Sequence, residues 1–160
     1  MKKKKIIVAT SGGFDPVHIG HTRLFEEAKK LGDELVVILN NDNWLKQKKG
    51  FVLMSEKERK EIIEAFRSVD RVVITKHPKN PKNMSVCAAL AALKPDIFAK
   101  GGDRDKKDAQ KKSSSLNPEQ ALCQKLGIKV AFNVGRGGKI QSSSWLVKKF
   151  PGSIKKFFEI

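Results

Sequence analysis

Five short apolar runs, at residues 6–10, 35–39, 71–75, 96–99 and 128–133, alternate with longer segments of helical period. This alternation is the strongest constraint on the fold. The runs are largely β-branched, as strands buried on both faces are. Between the first two, residues 22–31 place Leu24, Ala28 and Leu31 on one helical face and stop at Gly32. Ser55-Glu56-Lys57-Glu58 is a capping box, and it opens a helix that carries Ile62, Ile63 and Phe66. Residues 84–93 form a small apolar helix. Asn117-Pro118-Glu119 supplies an N-cap, a proline at the first helical position and an acidic first turn. A last helix is expected over 143–150. The pattern predicts α/β architecture: a five-stranded parallel sheet with helices on both faces.

At 160 residues, 39% of them hydrophobic, the chain is sized for one domain with a real core. The expected boundaries are 1–150 for the domain and 151–160 for a basic and apolar tail. Residues 104–116, RDKKDAQKKSSSL, are charged and without period, and they read as a surface loop of the kind that forms lids. No apolar run approaches the roughly 20 residues of a membrane span. The Lys-rich start leads into a stretch too short for a signal peptide and is read as the first strand. Cys87 and Cys123 lack metal-ligand spacing and read as core residues of a cytoplasmic protein. The formal net charge of +16 attracts polyanions. Aromatics at 7%, with no Tyr, argue against a stacking platform for single-stranded nucleic acid.

The first strand is followed by GGFDPVHIGH, residues 12–21. Gly12 and Gly13 let backbone N–H groups approach a ligand closely, and the next helix presents its positive end. His18 and His21 stand three apart at the helix start, so both face one ligand. Imidazoles there can donate to phosphate oxygens as charge develops. Half a zinc site is the competing reading, but no third ligand lies nearby in sequence. A dinucleotide fingerprint is excluded, because the glycine spacing differs.

G-x-F-D-x-x-H-x-G-H after a first strand resembles the HxGH signature of the cytidylyltransferase-like nucleotidyltransferase superfamily. Further segments agree in order. Asn40-Asn41-Asp42 with Lys46, Lys49 and Gly50, then Glu58-Arg59 through Val69-Asp70, then Lys100-Gly101-Gly102-Asp103 are similar to segments of heptose-phosphate adenylyltransferases. Ser142-Ser143-Ser144 followed by Lys148 resembles their last motif. Glycerol-3-phosphate cytidylyltransferases share most of this pattern. The departures are Gly13, where relatives carry Thr or Cys, and Val147-Lys148, where many carry Arg.

The resemblance implies a single Rossmann-like three-layer domain and one reaction type. The phosphate of an acceptor attacks the α-phosphorus of ATP or CTP, and pyrophosphate leaves. The acceptor is a sugar, polyol or alcohol phosphate. By the same resemblance His18, His21 and Lys46 are catalytic, with Lys49 as a second candidate to Lys46. Gly12, Gly13, Phe14 (through its N–H), Arg59, Gly101, Asp103, Ser142, Ser143 and Ser144 bind the nucleotide. Asp15 braces the loop. Mg²⁺ rides on the phosphates, with no dedicated protein ligands. Relatives suggest a homodimer. The alternative is a non-catalytic member of the fold that holds nucleotide or RNA. Retention of the whole constellation on separate strand ends favours the enzyme.

Overall fold

The computed structural model describes residues 2–102 and 116–149. Five strands form one parallel sheet: β1 (Ile7–Gly12), β2 (Glu34–Leu39), β3 (Arg71–Ile74), β4 (Ile97–Gly101) and β5 (Lys129–Val134). Among the described residues, six helices connect or flank them: α1 (Ile19–Lys29), α2 (Asp42–Lys49), α3 (Glu56–Glu64), α4 (Cys87–Leu93), α5 (Leu116–Leu126) and α6 (Ser143–Lys148). The strand order is β3-β2-β1-β4-β5. The Rossmann-like, three-layer expectation holds in sheet size, direction and layering.

Two apolar clusters sit on opposite faces of the sheet. Val8, Leu35, Val37 and Leu39 pack with Leu24, Phe25 and Ile63 of α1 and α3. Ala9, Ile38 and Phe98 pack with Leu90 of α4 and Cys123 of α5. Odd and even residues of one strand serve different clusters, as the period-2 alternation of a doubly covered strand requires. The cysteines are free, and burial raises the Cys123 thiol to about 11, so it packs as a small apolar residue.

Several helix boundaries differ from the expected ones: α4 begins at Cys87, three residues after the expected start and with no side-chain cap, and α6 ends at Lys148. α1 begins at Ile19, three residues before the expected start, because His18 is its N-cap. The capping box at Ser55 stands as read: Glu58 Oε2 accepts from the Ser55 N–H at 2.9 Å. α5 begins at Leu116, so Asn117 lies inside the helix, one residue past its start. α2 was not anticipated. It is capped by the Asn41 side chain, which accepts from the Trp44 N–H, and closed by Gly50 at φ 82°. Asp103, nearly all of the 104–116 loop and the 151–160 tail lie outside the described residues. Among the described residues, no helix is long and apolar enough to cross a membrane.

Candidate active site

The strand order reverses between β1 and β4, and a cleft opens there beyond the strands' carboxyl ends, where parallel α/β sheets bind ligands. Its volume is about 290 Å³. Its walls come from the β1–α1 loop, α2, the end of β4 and the segment from Val134 into α6.

The local chemistry of H-x-G-H explains its form. His18 is extended at φ −147°, and its Nδ1 accepts from the Gly20 N–H at 3.1 Å. His21, at the third helical position, reaches back so that its Nδ1 accepts from the His18 N–H at 3.2 Å. The pair is a capping box built from two imidazoles. A Cβ on Gly20 would sit 2.9 Å from His18 Cε1, so only glycine admits the ring. The rings stack with centroids 3.7 Å apart, and Phe14 stands edge-on to His21 at 4.7 Å. Gly12 has a similar steric duty: its missing Cβ would meet Phe14 Cζ at 2.9 Å.

These hydrogen bonds assign the protons. A nitrogen that accepts from an N–H carries no proton, so each neutral ring holds its proton on Nε2. Burial, then the neighbouring His18 and Lys49, pushes His21 down from 6.5 to about 3. Burial and Lys49 also lower His18. Both rings are therefore neutral Nε2–H donors at neutral pH, and protonation would break the cap.

The expected residues divide into those that the fold brings to the cleft and those that it does not. Gly12, Gly13, Phe14, His18 and His21 line it, as do Gly101, Ser142, Ser143 and Ser144. Ser143 Oγ also donates to the Pro16 carbonyl at 2.9 Å, which ties α6 to the first loop. Asp15 is fully buried and accepts from the N–H groups of Leu53 and Met54 at 2.7 and 2.9 Å, so it braces the loop.

Lys46 and Arg59 do not line the cleft. Lys46 is exposed. At about 100° per residue it lies roughly 200° around α2 from both Trp44 and Lys48, which do line the cleft. Lys49 stands there instead. Its Nζ donates to the Asp15 carbonyl at 3.2 Å, and burial lowers its pKa despite Asp15. Arg59 is wholly buried. Its guanidinium donates to the carbonyls of Gly13 and Asn40 at 2.7 Å, to the Met54 carbonyl at 2.9 Å and to Asp42 at 2.7 Å. It holds the β1–α1 and β2–α2 loops together from below and does not line the cleft.

Several lining residues escaped the sequence reading: Asn40, Lys48, Arg23, Lys139 and Glu119. Strand alternation carried a signal for Asn40 and Lys100, which extend the buried face of their strands. Arg23, Lys48, Lys49, Lys100, Arg136 and Lys139 meet a single carboxylate, Glu119, among the described residues of the cleft. Glu119 itself accepts from Lys100 and from the Val86 N–H. The cleft is thus built for polyanions. The indole of Trp44 donates to the Met84 carbonyl at 2.9 Å and packs at the wall.

A parallel α/β domain whose switch-point cleft combines paired histidine donors with surplus cations is of the nucleotidyltransferase type. Comparison with known proteins narrows that class. The chain belongs to the cytidylyltransferase-like family, whose model matches residues 9–132. It is 42% identical over 105 residues to an FAD synthase of Thermococcus sibiricus, across 65% of this chain and 68% of that protein. It is 38% identical over 99 residues to the bifunctional protein HldE of Koribacter versatilis, but the match spans only 19% of that longer protein and 61% of this chain. The crystal structure of a lipopolysaccharide core biosynthesis protein from Thermoplasma volcanium superposes with a TM-score of 0.61 at 29% identity, covering 81% of this chain and 95% of that one.

Proposed function

We propose that the protein transfers a nucleoside monophosphate from ATP or CTP to a phosphorylated small molecule and releases pyrophosphate. A phosphate oxygen of the acceptor forms a bond to the α-phosphorus. The bond from that phosphorus to the α,β-bridging oxygen breaks, and the electron pair leaves with pyrophosphate. The acceptor is already an anion, so no side chain needs to remove a proton. Catalysis then rests on positioning and on charge stabilisation.

The observation that carries this reading is the tautomer-fixed histidine pair. His18 and His21 aim two neutral N–H donors from a rigid helix start, and no reorganisation is needed as charge builds on the α-phosphate oxygens. Lys49 neutralises phosphate charge beside them. Ser142, Ser143 and Ser144 hold the β- and γ-phosphates, and Gly101 lets the nucleotide lie close to β4. The FAD synthase relative favours ATP as donor, since FAD carries an adenylate.

Mg²⁺ fits this donor set as an ion carried on the triphosphate. Among the described residues, the one cleft carboxylate is bound to Lys100 and Val86, and both histidine Nδ1 atoms accept N–H bonds. When bound, Mg²⁺ supplies charge neutralisation to the phosphates.

Pyrophosphate release tests the reading. ATP, CTP, GTP and UTP are each paired with heptose 1-phosphate, glycerol 3-phosphate, phosphoethanolamine, phosphocholine and FMN. Release that requires one triphosphate and one acceptor is expected. Salt-dependent RNA binding without turnover on any pair would replace this function with a binding role.

A further inference from the structure

The cleft has a second arm that the histidines do not use. Ala9, Ile38 and Phe98 form the apolar floor beneath α4 and α5. Two residues further along each strand direction come Ser11, Asn40 and Lys100, so alternation puts all three on that same face. All three line the cleft. Lys100 Nζ lies 3.4 Å from both Ser11 Oγ and Glu119 Oε2, and 4.4 Å above the Phe98 ring.

Asn40 is the informative member. It is only 4% exposed, yet its Oδ1 has no hydrogen-bond partner among the described residues. Its backbone is pinned on both sides: its N–H donates to the Gly12 carbonyl at 2.9 Å, and its carbonyl accepts from Arg59 at 2.7 Å. Native proteins leave few buried acceptor atoms without a donor, and those at a cleft are met by ligand or water. The position therefore asks for a donor that arrives with a substrate. The lysines that line the cleft, Lys48, Lys49, Lys100 and Lys139, disfavour an ammonium group, which leaves a neutral O–H as the matching donor.

We propose that this arm takes the acceptor and that Asn40 selects it. The acceptor phosphate lies against Lys100, and a hydroxyl on a carbon close to that phosphate donates to Asn40 Oδ1. The substrate class is then a polyol phosphate, whether headed by a sugar, glycerol or the ribityl chain of FMN. This rests on the nucleotidyl-transfer reading above.

The test compares acceptors that carry the hydroxyl with ones that lack it. Heptose 1-phosphate, glycerol 3-phosphate and FMN identify the source. Propyl phosphate and phosphoethanolamine serve as the controls without it. In the wild type, kcat/KM for the best polyol phosphate should exceed that for propyl phosphate by about 10- to 100-fold, the cost of leaving one buried acceptor unmet. Asn40→Ala should bring that ratio within about threefold of one, with the triphosphate KM unchanged. Asn40→Asp keeps an accepting oxygen and should keep the preference. Thermal melts establish that each variant is folded. An unchanged ratio in Asn40→Ala, or an equal loss with both acceptors, overturns the inference. If the wild type turns over nothing, the nucleotidyl-transfer reading fails separately. Calorimetric binding of glycerol 3-phosphate against propyl phosphate then decides on Asn40. Tighter hydroxyl-dependent binding lost in Asn40→Ala supports it, and equal or absent binding overturns it.

Discussion

The two ends of the sheet are built on opposite principles. At the amino end, three carboxylates receive strand N–H groups. Asp33 accepts from Ile6 at 2.8 Å, Asp70 from Leu35 at 2.7 Å and Asp96 from Ile7 at 2.9 Å. Two of them also pair with lysines, Asp96 with Lys4 and Asp70 with Lys29. At the carboxyl end, among the described residues, six basic side chains line a cleft with one carboxylate in its wall, Arg136 also pairing with Glu26 and Glu27 behind it, and a buried amide oxygen has no donor. One end is closed on itself. The other, among the described residues, leaves a buried acceptor atom open at the cleft. The amino end can thus be altered without touching the cleft, so substitutions there should report on stability alone, whereas those at the carboxyl end should report on the chemistry and, where they remove a joint or a cap, on stability as well.

Arg59→Ala should have the largest effect. It joins the two loops beneath the cleft, and leaving its buried partners unmet should destabilise by about 3–5 kcal/mol, read as a lower denaturation midpoint. Survival of that variant at wild-type stability would show that the carboxyl end does not depend on this joint. His18→Ala and His21→Ala should each lower kcat by about 10²- to 10³-fold, the range for removing one preorganised donor. Each should cost about 1 kcal/mol of stability through the lost cap. Near-normal turnover in either variant removes that ring from the reaction.

Lys49→Ala should reduce kcat/KM at least about tenfold more than Lys46→Ala, because only Lys49 lines the cleft. The reverse order would return the role to the residue that the sequence pattern favours. Asp96→Ala, at the closed end, should lower stability by about 1 kcal/mol and leave kcat as it is.

Acid should separate the ends in the same way. The folded-state pKa of His21 is depressed from 6.5 to about 3, so the unfolded chain binds the proton first. Stability then falls as pH drops through that window. At the closed end, the Ile7 N–H and Lys4 hold Asp96 below its usual 3.8, so its contribution is lost only at lower pH. For Asp70, burial acts upward, and Lys29 and the Leu35 N–H outweigh it. Melting temperatures across pH should have a shallower upper slope in His21→Asn, with His18 supplying what remains, and an unchanged lower slope. An unaltered profile would place the acid sensitivity elsewhere.

How much of this was legible follows from what sequence encodes locally. Strand positions were read closely because a doubly covered strand must be apolar along its whole length, as Leu35 to Leu39 is. α2 went unseen because its exposed Lys and Asn residues give no apolar stripe, and its evidence lies in the Asn41 and Gly50 caps. The start of α1 was misplaced because histidine is not an ordinary capping residue. Gly12, Gly13, His18, His21 and the serines reached the cleft as their motif implied. Lys46 and Arg59 did not, since the helix that carries Lys46 went unseen and the spacing around Arg59 names a helix but not which way that side chain turns. Asn40 was quoted only as part of a motif, and its importance depends on a missing partner, which no sequence displays.

The imidazole capping box has one more consequence, for trace metals. Two histidines a helical turn apart would normally attract zinc or nickel. Here such an ion would have to displace the Nε2 proton, and a ring that stayed neutral with its proton moved to Nδ1 would face the Gly20 N–H or the His18 N–H donor to donor. Capture of the metal would therefore unseat the start of α1. The arrangement that readies the pair for phosphate also guards it against adventitious chelation.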